Sequence, residues 1–167
     1  MLTPIQQNFR NAMAKLAAGV NIITTNGTAG KCGITATAVC SVTDTPPTIM
    51  VCINKNSEMN PVFQRNKRLC INVLSAEQVD LAQHFAGFKG SCMDERFEWA
   101  VWHEKHDPTA QPSLNNALAN LTGTIVDMRD IGTHSMFLVE LDDIQVSEQG
   151  QALVYFSRQF HTVGTSE

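Results

Sequence analysis

No stretch of the 167-residue chain is apolar for about eighteen residues, so no segment reads as a membrane-crossing helix. The opening residues, MLTPIQQNFR, carry no basic segment followed by an apolar one, and no secretory leader is expected. Cysteine is sparse and odd in number: Cys32, Cys40, Cys52, Cys70 and Cys92, with no C-x-x-C pair. Cys40, Cys52 and Cys70 fall inside apolar runs. That suits buried free thiols in a reducing cytoplasm better than a disulfide framework. Positive charge is also short. The formal net charge is −4, without the basic stripe on which nucleic-acid binding depends.

Several chemical signatures are missing too. There is no G-x-G-x-x-G and no G-x-x-x-x-G-K-[ST], which removes both common phosphate loops. There is no G-x-S-x-G nucleophile elbow. His103, His106 and Asp107 in WHEKHD do not have H-E-x-x-H spacing, and they read as a solvated loop rather than a metal site. Asp142 and Asp143 are adjacent on an expected strand, so they point to opposite faces and form no carboxylate pair. With no nucleophile–base pair in view, any chemistry is expected to come from a cofactor.

What remains is an ordinary globular composition, 43% apolar and 17% charged, in one domain covering residues 1–167. Thr3, Pro4 and Gln6 form a capping box with proline at the first helical position. A helix with the stripe Ile5, Phe9, Ala12, Met13, Leu16 and Val20 follows, with Gly19 as its stop. Val20–Thr25 reads as a strand, NGTAGK as a turn, and Thr48–Asn54 as a central strand covered on both faces. Asn60 and Pro61 open a short helix, Cys70–Leu74 is a strand, and Ser75 with Gln78 caps a helix ending near Gly87. Residues 88–116 read as a long, partly ordered excursion. Strands at 121–129, 136–146 and 152–156 complete the chain. Six or seven hairpin-connected strands with two or three helices predict a mainly β fold, an antiparallel sheet closed into a barrel with flanking helices.

The stretch GITATAVCSV, residues 33–42, alternates. Ile34, Ala36, Ala38, Cys40 and Val42 form an apolar file; Thr35, Thr37 and Ser41 stand opposite. One reading is an ordinary half-buried strand. The other is a floor of short hydroxyls and bare peptide groups on which a flat polar ring can lie. Downstream, CINKNSEMNP leaves a buried strand for a turn before a helix. Asn54 and Ser57 sit there as caps or as part of an anion site.

Together FRNAMAKLAAGVNIITT, GITATAVCSVTDTPPTIMVCINKNS, NPVFQ, HFAG, IGTH and LVYFSRQFH span nearly the whole chain. In this combination the sequence resembles the short-chain flavin reductases that serve two-component flavin-dependent monooxygenases. The resemblance implies an FMN-binding split β-barrel of Greek-key type, a homodimer, and oxidation of NADH or NADPH with reduction of FMN or FAD. It implies flavin contacts at Ile34, Thr35, Ala36, Thr37 and Ser41, and a ring and phosphate site from Cys52, Ile53 and Asn54 through Ser57. It places Phe85, Ala86 and Gly87 at the flavin's border, His134 near the nicotinamide, and Tyr155 and Arg158 against the dinucleotide. No residue is expected as a nucleophile, because hydride passes directly between the two cofactors. Many relatives carry Gly-Asp-His where this chain has Gly132-Thr133-His134. The implied partner is a separate oxygenase fed by diffusing reduced flavin. A pyridoxamine-phosphate-oxidase-like enzyme and a non-catalytic flavin-binding protein are the alternatives. Bulky replacements at Thr35 and Thr37 are expected to abolish flavin binding and spare the fold.

Overall fold

A computed structural model describes residues 1–164. Ten strands and four α-helices follow in the order α1 (Pro4–Met13), β1 (Ala18–Gly19), β2 (Asn21–Gly27), β3 (Gly30–Ala36), β4 (Val39–Asp44), β5 (Pro47–Asn54), α2 (Asn60–Asn66) and β6 (Arg68–Val73). The remainder are α3 (Val79–Phe85, entered through a short 3₁₀ turn), α4 (Met93–Glu98), β7 (Ala119–Ile131), β8 (His134–Val146), β9 (Ala152–Phe156) and β10 (Gln159–Val163). Every strand pairing is antiparallel, as the hairpin spacing predicts.

Seven strands form one sheet in the order β3-β2-β6-β7-β8-β5-β4. The two edge strands, β3 and β4, are joined by only Thr37 and Ala38. In a flat sheet those edges lie about 29 Å apart, and the link spans at most about 11 Å. The sheet must therefore curl until its edges meet. The link is pinned where they meet, by hydrogen bonds from Val39 N to Thr37 O (2.9 Å) and from Cys52 N to Ala38 O (3.0 Å). β3 and β4 do not pair with each other, so the sheet curls round without closing into a continuous barrel.

The alternating stretch is thus two strands. Ile34 and Ala36 pack on the core from β3, and Val39 takes the inward position after the link. Ala38, Cys40 and Val42 are exposed, which corrects the single apolar file: the two-residue link shifts the inward parity. β5 has Ile49, Val51 and Ile53 buried, while Met50 and Cys52 on its other face stay half exposed, so it is not covered on both sides.

Two apolar clusters fill the interior. One, from Ile23, Val51, Ile53, Phe63, Leu69, Ile71, Phe137 and Val139, lies inside the curled sheet. The other, from Val20, Ile22, Leu74, Ala82, Phe85, Leu114 and Leu153, lies between it and the small sheet β1-β9-β10. Hydrogen bonds among Val20, Leu74 and Leu153 (3.0–3.2 Å) join the two sheets. β10 has no run of apolar residues and is absent from the sequence reading.

Helix α1 begins as predicted, with both arms of the Thr3–Gln6 capping box formed. It stops at Met13, not Gly19, because the chain must turn there to give β1 to the small sheet. α1 buries none of its own residues; Ile5, Phe9, Met13 and Leu16 are all exposed. The excursion from Phe88 to Asn116 is packed. Trp102 stacks on Phe97 (4.8 Å between centroids) and donates to Arg96 O (2.9 Å). Asn72, buried in β6, accepts from Leu114 N and Asn120 Nδ2, each at 2.8 Å, and so ties the excursion to the sheet. Satisfying that amide on all sides is what makes a buried Asn tolerable.

Candidate functional site

The Thr37–Ala38 link is bonded to the end of β5 and shares a groove with Tyr155 and Arg158. Thr37 is exposed and its hydroxyl has no hydrogen-bond partner among the described residues. Thr35 differs. Its hydroxyl donates to Ala82 O at 2.7 Å, so its side chain faces helix α3 and fastens β3 to it. A bulky residue at Thr35 therefore disturbs the packing of α3, whereas Thr37 has open space. Ile34 and Ala36 are half-buried against the core, and Ala36 O accepts from Asn21 Nδ2 (3.2 Å).

Across the link from β3 lies the end of β5. Cys52 is half-buried there, and burial pushes its thiol up from the ordinary value. Ile53 is a core residue at 2% exposure, so its side chain packs inward and is out of a ligand's reach. Asn54 pairs with His134 at the start of β8, which brings the NKNS turn beside the GTH turn. A further bond, Lys55 N to Thr133 O at 2.9 Å, locks the two together. Gly132, at φ +56°, makes the tight β7–β8 turn possible and presents His134 at the surface. The Thr133 hydroxyl lies 2.9 Å from His134 Nδ1 and orients the imidazole.

The NKNS turn is internally bonded. Asn54 Oδ1 accepts from Asn56 N (2.9 Å), and Ser57 Oγ accepts from Met59 N (3.3 Å). Lys55 is paired with Asp130 at 3.7 Å. Asn60 is not the cap of α2; Met59 holds that position. The Asn60 amide is buried and donates to Ile53 O (3.1 Å), bracing the strand end. Phe85 is likewise a core residue, at 1% exposure, in edge contact with Phe97 and Trp102. Ala86 and Gly87 end α3, with Gly87 at φ +79° in the left-handed position after the helix. Ser41 is exposed on the edge strand β4, opposite Ile49.

On the other side of the link a groove of about 890 Å³ separates α1 from the sheet. Thr37, Ala38, Tyr155 and Arg158 line one wall, and Gln7, Arg10 and Asn11 of α1 the other. Tyr155 is held edge-on against Phe160 (5.2 Å between centroids). Arg158 sits in the β9–β10 turn with Ser157, at φ 62° and φ 50°. Left-handed backbone costs a non-glycine residue about 1–2 kcal/mol. Three bonds hold the turn, one to α1 and two to the residues just after it: Arg158 Nη2 to Asn11 Oδ1 (2.8 Å), Ser157 N to Ala14 O (2.7 Å) and Lys15 Nζ to Ser157 Oγ (3.1 Å).

Gln7, Arg10 and Asn11 are absent from the sequence reading, and Ala38 enters it for its backbone and as part of the alternating stretch. The polar face of α1 looks like any solvated helix face until the β9–β10 turn is placed beneath it. The features suit an oxidoreductase whose chemistry lies in its cofactors. A ring can lie over an uncharged link with exposed peptide groups, and a phosphate-bearing arm can reach a groove with cationic and no acidic residues in its lining.

Comparison with known proteins agrees. The flavin reductase like domain matches residues 13–164. The chain is 61% identical to the 4-hydroxyphenylacetate 3-monooxygenase reductase component of Pseudomonas aeruginosa over 160 residues, 96% of this chain and 93% of that one. It is 43% identical to the FMN reductase (NADH) RutF of Enterobacter cloacae, covering 98% of this chain and 97% of that one. The solved structure of flavin reductase PheA2 superposes with a TM-score of 0.84 at 31% identity, over 95% of this chain and 98% of the other. The chain belongs to the flavin reductase family. None of its helices is long and apolar enough to cross a membrane, among the described residues.

Proposed function

We propose that the protein oxidises NADH and reduces FMN or FAD, and that the reduced flavin serves a separate oxygenase of the 4-hydroxyphenylacetate 3-monooxygenase type. The observation that carries this reading is the junction of the Thr37–Ala38 link with the Asn54–His134 pair on one side and the Tyr155–Arg158 groove on the other. Bound flavin and nicotinamide supply the hydride chemistry themselves. The chain's part is positioning, which can account for several kcal/mol of a barrier, about 7–11 at best.

Thr37 and the peptide groups of the link hold the ring, with Ile34, Thr35 and Ala36 giving the floor its rigidity. Asn54, Ser57 and the Cys52 and Ile53 backbone border it, and Ala86 and Gly87 close the α3 side. His134 meets the nicotinamide end, and Tyr155 and Arg158 hold the rest of the dinucleotide. Because Thr133 is neutral, its bond to Nδ1 fixes the ring's orientation without adding a carboxylate's charge.

A homodimer fits the surface. The α1 stripe of Ile5, Phe9, Met13 and Leu16 and the outer residues Val126, Ile131, Ile144 and Val146 of the β7–β8 hairpin are exposed apolar groups that a second copy can cover. Five free cysteines support a cytoplasmic setting. The test is NADH oxidation followed by absorbance with FMN, FAD and riboflavin in turn. Consumption that requires added flavin supports the reading. A protein that consumes no NADH with any of them is not a reductase.

A further inference from the structure

The groove between α1 and the β9–β10 turn has a chemical bias that extends beyond Tyr155 and Arg158 to helix α1. Its lining contains Arg10 and Arg158 and no acidic residue, in a chain whose net charge is −4. Among the described residues the Arg10 guanidinium makes no hydrogen bond and no ion pair. Asn11 sharpens the bias. Its Oδ1 accepts both from Gln7 Nε2 (3.1 Å) and from Arg158 Nη2 (2.8 Å), so its acceptor is occupied and its Nδ2 donors are left over. The wall therefore offers donors and positive charge together, which is the chemistry of a phosphate site.

The groove also contains Thr37 and Tyr155, so an anion held there belongs to a molecule lying close to the link. We propose that Arg10, with Arg158, binds the diphosphate of the pyridine dinucleotide, making helix α1 part of the NADH site. This rests on the reductase reading above. The left-handed turn at Ser157 and Arg158, bonded to Asn11 of α1 and to Ala14 and Lys15 just beyond it, sets the Arg158 guanidinium beside the helix that carries Arg10.

Arg10→Gln and Arg10→Lys test this beside Arg158→Gln, with riboflavin as the flavin acceptor so that NADH is the only phosphate-bearing ligand. Losing one charge-assisted hydrogen bond at an exposed site predicts a rise of about tenfold in KM for NADH with kcat retained. The salt dependence of kcat/KM becomes shallower, the lysine variant recovers most of the loss, and the unfolding temperature does not move. If Arg158→Gln raises the NADH KM and Arg10→Gln does not, the proposal fails while the dinucleotide reading stands. If neither raises it, the groove is not the dinucleotide site at all. If Arg10→Gln instead weakens FMN binding measured by flavin fluorescence, the groove holds the flavin's phosphate and the proposal is overturned.

Discussion

Thr35 and Thr37 are two residues apart on the same expected hydroxyl file, yet they are predicted to behave oppositely. Thr35→Val removes a hydroxyl that donates to Ala82 O at 2.7 Å across the β3–α3 contact. That carbonyl keeps its helical bond from Ala86 N (3.0 Å), so it is not orphaned. The loss is therefore the ordinary net worth of one half-buried hydrogen bond, about 1 kcal/mol. For a chain of this length that lowers the unfolding temperature by about 2–4 °C. Thr37→Val removes a hydroxyl bonded to nothing among the described residues, on an exposed link, and changes stability by less than about 0.5 kcal/mol. Thermal unfolding by circular dichroism without added flavin reads both. Equal shifts for the two variants, or no shift for Thr35→Val, would refute the assignment of Thr35 to the fold and Thr37 to the site.

The Arg68–Asp142 pair gives a pH-dependent prediction. Its bidentate hydrogen bonds (2.7 and 2.9 Å) hold the Asp142 carboxyl below its ordinary value. A depressed folded-state value means the stabilisation is complete above the free carboxyl's pKa of about 3.9 and is lost as the pH falls through the lower folded value. Asp142 is 52% exposed, so screening limits the effect, and Asp142→Asn costs less than about 1 kcal/mol near neutrality. That difference closes in acid and shrinks in high salt. Thiol labelling tests the core: burial pushes Cys70 up to about 11 and Cys32 up to about 12, whereas Cys40 and Cys92 are exposed. Iodoacetamide modifies the exposed pair in the native protein and reaches Cys32 and Cys70 only on unfolding.

Local signals in the sequence were reliable where one residue type has one physical use. The Thr3–Gln6 box, the turn glycine before His134 and the glycine after α3 all stand where they are expected. The break at Thr37–Ala38 was not legible, because Thr-Ala-Thr-Ala-Val continues the alternation without proline or glycine to mark a corner. It exists because the curled sheet must connect its own two edges. Asn60 reads as a helix cap from its place before Pro61, yet the β5 end takes its amide instead. Of the N-terminal apolar stripe only Val20, beyond the helix, is buried; Ile5, Phe9, Met13 and Leu16 stay exposed among the described residues. Residues 88–116 read as a partly ordered loop because their aromatic, polar and apolar anchors, Trp102, Gln111 and Leu114, recur without helix or strand period.

The central claim is that the Thr37–Ala38 link is the floor of the flavin site. FMN binding to the Thr37→Trp variant, titrated by fluorescence and accompanied by its unfolding temperature, tests it most directly. The account predicts that binding and flavin-dependent NADH oxidation are lost while the unfolding temperature stays that of the wild type. A folded Thr37→Trp protein that binds FMN and consumes NADH like the wild type contradicts it.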